Sequence, residues 1–201
     1  MQWLINNYIE VLGTIFGLIY LYLEIKQNIW LWPLGLLTSA FYVYVFYVSK
    51  FYADMGLQVY YVLISIYGWW KWFRGVKPDV ADDLPVTRIT LRQLFALVPI
   101  SIALFAIIAY VLINFTDSPV PYGDAFTTAL SIVATWMLTH KILEQWWLWV
   151  VVNLVSLVLY VYKGLYPTSV LFIFYFSMSV VGYFEWKRTM KQQAVEGING
   201  K

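Results

Sequence analysis

Seven apolar runs of bilayer-crossing length divide this chain, and they constrain its fold more than any other feature of the sequence. A helix that spans a bilayer needs about 20 mostly apolar residues, within a range of about 17–25. The runs cover residues 6–23, 28–49, 55–70, 94–113, 121–139, 145–162 and 166–184. Tyr52 and Trp72 extend the third run as interfacial anchors. We therefore predict an all-α integral membrane protein with seven transmembrane helices.

The composition excludes several classes of function. The chain is 62% hydrophobic and 12% charged, whereas a soluble domain has about 45–50% apolar and about 25% charged residues. With one histidine, no cysteine and a net charge of +2, it favours neither a catalytic or metal centre nor a nucleic-acid partner. It also has no glycine-lysine nucleotide loop. We expect a non-enzymatic protein of the lipid bilayer without a cofactor.

The basic residues predict the orientation in the membrane, since cytoplasmic loops carry an excess of lysine and arginine. With the N-terminus outside, eleven of the 13 basic residues face the cytoplasm. The outer side then holds Lys50 and Lys163. We expect the N-terminus outside and the C-terminus inside.

An internal repeat appears when the chain is shifted by 114 positions without a gap. The aligned pairs are Thr14 and Thr128, Trp32 and Trp146, Leu34 and Leu148, Tyr52 and Tyr166, Leu57 and Leu171, Tyr61 and Tyr175, Ser65 and Ser179, Gly68 and Gly182, Trp72 and Trp186, and Arg74 and Arg188. The register places helix on helix, so two three-helix bundles flank one inversion helix in a 3+1+3 plan. The odd number of helices before the second bundle makes the repeats parallel, a SWEET-like architecture.

The domain boundaries follow from this repeat. Residues 1–74 form the first three-helix bundle, and residues 75–121 form a cytoplasmic linker with inversion helix four. The second three-helix bundle covers residues 122–188, and a cytoplasmic tail covers residues 189–201.

Polar and aromatic stripes on the helices suggest a binding site. In helix six, Trp146, Trp149 and Asn153 share one face with Ser156 and Tyr160. Asn153 lies mid-span, where a buried amide without a partner costs about 1–3 kcal/mol. Two tryptophans and an amide would form an aromatic box for a flat, partly polar, cationic ring. Further candidates on matching stripes are Trp32, Ser39, Gln58, Tyr61, Thr128, Ser131 and Tyr175.

Other residues in these stripes have a simpler explanation. Small residues commonly line helix contacts in membranes, which is our interpretation of Ser65, Ser179, Gly68 and Gly182. Tryptophans favour the membrane interface, which is our interpretation of Trp69, Trp70, Trp72 and Trp186.

The ionisable residues favour a passive carrier. Acidic residues lie near the ends of the spans, as solvated or capping carboxylates: Glu10, Glu24, Asp54, Asp124, Glu144 and Glu185. The sequence therefore shows no mid-span proton relay or sodium site. His140 lies beside Lys141 in a loop, where we expect it to be solvated.

The chain resembles the PnuC family of bacterial vitamin transporters from Glu10 to Arg188. The shared motifs are residues 30–33 (WLWP), 52–54 (YAD) with 57–58 (LQ), 66–70 (IYGWW), 124–130 (DAFTTAL) and 162–166 (YKGLY). The most specific is a WxxWxxxN element formed by Trp146, Trp149 and Asn153, followed by Tyr160.

The resemblance implies uptake of nicotinamide riboside across the bacterial inner membrane by facilitated diffusion, with trapping by a cytoplasmic nicotinamide riboside kinase. It also implies a homotrimer, and a substrate bound midway between the bundles. Within the family, an asparagine at the end of the tryptophan motif favours nicotinamide riboside, and an aspartate is common in thiamine carriers. Asn153 agrees with the first substrate.

Three alternatives remain open from the residues alone. Thiamine is also cationic and aromatic, so the aromatic box cannot choose between the two vitamins. A gradient-driven sugar or ion carrier and a membrane scaffold without transport activity are the others. The absence of a mid-span carboxylate argues against the first of these, and the facing polar stripes argue against the second.

Overall fold

The structure is a computed structural model that describes residues 8–48, 52–75 and 84–199. These residues form seven helices: α1 (Tyr8–Ile25), α2 (Leu31–Val48), α3 (Tyr52–Gly75), α4 (Leu91–Phe115), α5 (Pro121–Thr139), α6 (Gln145–Tyr162) and α7 (Tyr166–Asn199). The prediction of an all-helical fold is confirmed. Three of the basic residues on which the predicted orientation depends lie outside the described residues: Lys50, Lys77 and Lys201.

Four of the described helices are long and apolar enough to cross a membrane. They are α2, α4, α6 and the Thr168–Val195 part of α7, whereas the apolar Thr14–Ile25 part of α1 is shorter. Large apolar side chains such as Phe95, Tyr110 and Tyr162 are exposed on their surfaces. Lipid tails solvate such side chains without the cost that water would impose.

The chain divides into two compact units, Met1–Arg74 and Gly75–Lys201. In the first unit, α1 packs against α2. In the second, α4 packs against α5, α5 against α6, and α6 against α7. A capping box between Thr90 and Gln93 starts α4, and Pro121 starts α5, where its missing N–H costs little.

The loops that begin α2 and α6 have the same geometry. Gln27 and Lys141 are aligned by the 114-residue repeat, and both adopt the left-handed conformation, with φ of 54° and 47°. The N–H groups of Gln27 and Lys141 each donate to the carbonyl of the residue three positions earlier, at 3.0 Å. The next N–H reaches the carbonyl five positions back, at 2.9 and 3.1 Å. This ending satisfies carbonyls that the helix leaves unpaired, so the repeat recurs in backbone geometry.

A buried tryptophan joins α6 to α7 in the second unit. Trp146 is 0% exposed, and its six-membered ring lies directly on Gly182, where a Cβ atom would be 2.4 Å away. Trp186 meets the same indole edge-on, at 5.7 Å between centroids and 85° between planes. Glycine is required at position 182 because the Trp146 ring occupies the space that a side chain would need.

The first unit repeats this arrangement at the aligned positions. Trp32 is 0% exposed, and a Cβ atom on Gly68 would lie 2.5 Å from its ring. Trp72 meets Trp32 edge-on, at 5.4 Å between ring centroids and 88° between ring planes. Trp72 and Trp186 are 3% and 0% exposed. Their assignment to the interfacial belt was therefore wrong, because each is enclosed by its own helix pair. Trp69 and Trp70 are exposed, as that assignment requires.

Residues 84–90, here called the docked linker, bind to the α5–α6 loop and to α7. Thr87 forms a parallel bridge with Ile142, through bonds of 3.0 Å to the Lys141 carbonyl and 2.9 Å from the Leu143 N–H. The linker also donates the Ile89 N–H to Glu144 at 2.9 Å and the Val86 N–H to Gln193 at 3.1 Å. Gln193 lies on α7, which continues through most of residues 189–201.

Some polar residues near the span ends are less solvated than expected. Glu24 is 3% exposed, so its expected solvation was wrong. His140 is half-buried and stacks on Trp136 at 4.1 Å between centroids, and its Nδ1 lies 2.8 Å from the Thr139 hydroxyl. The expected solvation of this histidine therefore holds only in part.

Candidate functional site

Helix α6 carries the candidate site on the face that it turns to α7. Trp146, Asn153 and Ser156 are buried on this face, and Trp149 is partly exposed. The spacing of three and four residues places them in one stripe because an α-helix has 3.6 residues per turn.

The amide of Asn153 has a defined orientation. Asn153 is 6% exposed, and its Nδ2 donates to the Ser179 hydroxyl at 3.0 Å. That hydroxyl in turn donates to the Tyr175 carbonyl at 2.8 Å, so its oxygen must act as the acceptor for Asn153. The amide nitrogen therefore faces Ser179, and the acceptor oxygen Oδ1 faces away from it.

The indole of Trp149 is held through its N–H group. Its Nε1 donates to Oε1 of Gln145 at 2.8 Å, and Gln145 is 0% exposed. This bond fixes the ring and occupies its single donor. Trp149 can therefore offer a ligand only its π face and its edge.

A series of aromatic contacts continues from Tyr175 to the C-terminal end of α6. Phe172 lies 5.5 Å from Tyr175 and 4.9 Å from Tyr160, between ring centroids. The Lys163 ammonium group lies 5.8 Å from the Tyr160 ring and 3.0 Å from an Asp124 oxygen. The Ser118 hydroxyl also donates to Asp124, at 2.7 Å. An ion pair held by a further hydrogen bond therefore lies at this end of the unit, partly exposed.

Of the two α5 candidates, Ser131 turns its hydroxyl donor to its own helix. Ser131 is buried, and its hydroxyl donates to the Thr127 carbonyl at 2.8 Å. Thr128 is half-buried. Helix α5 packs against α6. The Ser131 hydroxyl already donates its hydrogen within α5, as is common for serine inside a helix, and its oxygen can still accept a hydrogen bond.

The first unit lacks both the indole and the amide at the aligned positions. Gly35 stands where the repeat has Trp149, and Ser39 stands where it has Asn153. A Cβ atom on Gly35 would lie 3.1 Å from Tyr20 and 3.2 Å from the Ser65 hydroxyl, so a large side chain does not fit. Ser39 is buried, and Gln58 and Tyr61 on α3 are half-buried. The pairing of an indole with an amide at these positions is thus found in the second unit, and the substrate contacts of Ser39, Gln58 and Tyr61 stay a prediction.

Trp149 and Asn153 share one face of α6, and Asn153 is linked through Ser179 to Tyr175. Trp32 and Trp146 are enclosed by their glycine and tryptophan neighbours, and their contact with a substrate stays a prediction. The sequence interpretation did not include Gln145 or assign a polar role to Ser179. The position of Gln145 four residues before Trp149 was the available signal.

A metal centre has no support in the described residues. Within residues 8–48, 52–75 and 84–199, no group of three or more His, Asp or Glu side chains is placed to hold an ion.

Residues 7–188 match the model of the family described as "Nicotinamide mononucleotide transporter". Among curated proteins, the chain is 25% identical to the nicotinamide riboside transporter PnuC of Escherichia coli (strain K12), over 96% of this chain and 90% of that protein. It is 26% identical to the riboflavin/roseoflavin transporter RibM of Streptomyces davaonensis, over 88% of this chain and 83% of that protein.

A solved structure described as the crystal structure of the Vitamin B3 transporter PnuC has a similar fold. Its TM-score is 0.72 at 24% identity, over 92% of this chain and 83% of that one. At this identity the likeness shows the fold alone.

Proposed function

We propose that this chain, which belongs to the nicotinamide mononucleotide transporter family, carries nicotinamide riboside across the bacterial inner membrane. The orientation of the Asn153 amide is the observation that carries the choice of substrate. Its nitrogen is bonded to Ser179, and Oδ1 is directed elsewhere. An oxygen acceptor at this position suits the N–H₂ donors of a carboxamide such as that of nicotinamide.

The neighbouring indole complements the rest of this ligand. Trp149 offers a fixed π face, and a π face attracts a cation such as a pyridinium ring by about 0.5–2 kcal/mol. The similarity to a riboflavin/roseoflavin transporter makes riboflavin the second candidate, since an isoalloxazine ring can also stack on an indole. Thiamine is the third candidate because it is a cationic aromatic.

Facilitated diffusion is the proposed mode of transport. Asp124 is already paired with Lys163, and Glu144 already accepts the Ile89 N–H. Carboxylates in such fixed bonds near helix ends are poor candidates for a proton or sodium relay. Phosphorylation by a cytoplasmic nicotinamide riboside kinase would then trap the product, and the chain itself would perform no catalysis.

The proposed architecture is the parallel 3+1+3 plan of seven transmembrane helices, SWEET-like and assembled as a homotrimer. The matching loops at Gln27 and Lys141 and the matching tryptophan contacts of the two units support an internal duplication. The distribution of lysine and arginine supports an outer N-terminus and a cytoplasmic C-terminus.

Replacement of Asn153 by leucine tests the substrate assignment. Leucine has a similar volume, so the variant should fold, but it removes the acceptor and strands the carboxamide of the ligand. A loss on the order of 2–4 kcal/mol, about 30-fold to 1,000-fold in Kd, is expected. Calorimetry on purified protein would measure the binding of nicotinamide riboside, riboflavin and thiamine.

Asn114→Leu is the matched control. The Asn114 amide is exposed on α4 and bonds to the carbonyl of Tyr110, so its loss should leave affinity unchanged. Unchanged affinity in Asn153→Leu would remove Asn153 from the site. Tighter binding of riboflavin or thiamine by the unsubstituted chain would replace the proposed substrate.

Reconstituted vesicles test the mode of transport. Counterflow of labelled nicotinamide riboside should keep its initial rate when proton and sodium gradients are collapsed and ATP is absent. A clear loss of counterflow under these conditions would exclude facilitated diffusion.

A further inference from the structure

Gln145 is the first residue of α6 and one of the most deeply buried polar side chains of the second unit. It is 0% exposed, and its Oε1 accepts the indole N–H of Trp149 at 2.8 Å. A buried amide costs free energy unless it is hydrogen-bonded. The indole of Trp149 is one partner that compensates this burial.

The aligned position in the first unit shows that the fold does not require an amide here. Leu31 stands where the repeat has Gln145, and it is also 0% exposed at the start of its helix. Four residues later the first unit has Gly35 instead of Trp149. An apolar side chain of similar size therefore fills this position where the helix carries no indole, and the amide accompanies the indole.

The other tryptophan of the motif is held differently. Trp146 is enclosed by Gly182 and Trp186, and its buried Nε1 has no hydrogen-bond acceptor among the described residues. Packing alone therefore orients Trp146. Trp149 is partly exposed, so packing covers less of its ring, and the bond to Gln145 supplies the missing constraint.

The backbone of Gln145 is itself held in place. Its N–H donates to the Ile142 carbonyl at 3.2 Å, and Ile142 forms the bridge to Thr87 of the docked linker. The preceding residue, Glu144, accepts the Ile89 N–H of the same linker. The acceptor for the indole therefore projects from the first residue of α6, directly after a loop that is bonded to the docked linker at Ile142 and Glu144.

We propose that Gln145 is a positioning residue for substrate binding, which holds the Trp149 ring in the orientation that stacks on the substrate. This rests on the proposed function in one respect, the contact between Trp149 and a flat ligand. A ring that is oriented before binding loses less conformational freedom when the ligand arrives, which strengthens binding without a direct contact.

A double-mutant cycle tests the proposal. Gln145→Leu copies the residue of the first unit and should fold, and Trp149→Phe keeps an aromatic face without the N–H. Calorimetry on the full chain, with nicotinamide riboside, would measure both single variants and the double variant. Gln145→Leu should weaken affinity about threefold to tenfold, the range for one net hydrogen bond. In the Trp149→Phe background it should cause no further loss.

Asn114→Leu is the matched control because it removes another side-chain amide, at an exposed site on α4. It breaks the local bond to the Tyr110 carbonyl and should leave affinity unchanged. Equal losses from Gln145→Leu in both backgrounds, or equal losses from Gln145→Leu and Asn114→Leu, would overturn the positioning role.

A second measurement does not depend on any ligand. In protein labelled with ¹⁵N at the indole nitrogens, the Trp149 resonance is the one absent from Trp149→Phe. Gln145→Leu should shift this resonance upfield and speed its exchange with water. An unmoved resonance would refute the bond, whereas a moved resonance without nicotinamide riboside binding would retain it and reject only the proposed substrate.

Discussion

Gly182→Ala should destabilise the second unit by crowding the ring of Trp146. A Cβ atom at this position would lie 2.4, 2.5 and 2.6 Å from three atoms of the indole. Real Cβ contacts are not this short, so the ring or one of the helices must move. Trp146 has no exposed surface, and Trp186 packs edge-on against it. The ring therefore has no free space into which it could shift.

The magnitude follows from two opposing terms. Overpacking a well-filled contact costs about 1–3 kcal/mol. Alanine is favoured over glycine inside a helix by about 0.5–1 kcal/mol, which offsets part of this cost. Because all three contacts are far shorter than real Cβ contacts, the cost should lie in the upper part of this range, about 2–3 kcal/mol, and the expected net loss is about 1–2.5 kcal/mol. At about 2–4 °C per kcal/mol for a chain of this size, the Tm should fall by about 2–10 °C.

Thermal unfolding of purified protein at a fixed scan rate measures this effect. Gly56→Ala is the matched control, because Gly56 lies in α3 with nothing within 4 Å of the position that its Cβ atom would occupy. That variant gains the helix preference of alanine without a clash, so its Tm should stay unchanged or rise. The two glycine replacements should therefore have opposite signs.

Trp146→Phe should relieve the clash, since phenylalanine does not extend to the three crowded ring atoms. In the Trp146→Phe background, Gly182→Ala should lower the Tm by less than half as much as it does in the unsubstituted chain. A Tm for Gly182→Ala at or above that of Gly56→Ala would refute the packing argument, and so would equal losses in the two backgrounds.

Three further outcomes test other parts of the structure. Asp124→Asn should lower stability by about 1 kcal/mol or less, because its pair with Lys163 is partly exposed, and a larger loss in thermal unfolding would contradict this. Glu144→Leu should speed hydrogen exchange at the Ile89 amide, measured by mass spectrometry, whereas Glu144→Gln keeps an acceptor and should change it less. A reporter fused after Lys201 should show the cytoplasmic side, and a periplasmic signal would reverse the proposed orientation.

Much of the architecture was predictable because it depends on local properties of the sequence. A long apolar segment predicts a helix, because a chain in lipid must satisfy its own backbone hydrogen bonds. Helical spacing alone places Trp149 and Asn153 on one face. The motif around them also identified the transporter family that the family comparison confirms.

The sequence did not reveal how the polar residues near the helix ends are enclosed. Expected solvation was wrong for Glu24, which is buried, and holds only in part for His140, which stacks on Trp136. The docked linker shows the same limit, since its bonds reach residues 55 and 107 positions away. A local pattern carries no information about a partner so far along the chain.

The two tryptophans of the motif show which properties the sequence determines and which depend on the tertiary structure. The sequence by itself determined that Trp146 and Trp149 share a stripe, because that depends only on the helical period. Only the tertiary structure decided that Trp146 is enclosed on Gly182 while Trp149 remains partly exposed. The environment of an indole is set by the small or large residue that the neighbouring helix places against it, and that contact exists only after the helices have packed.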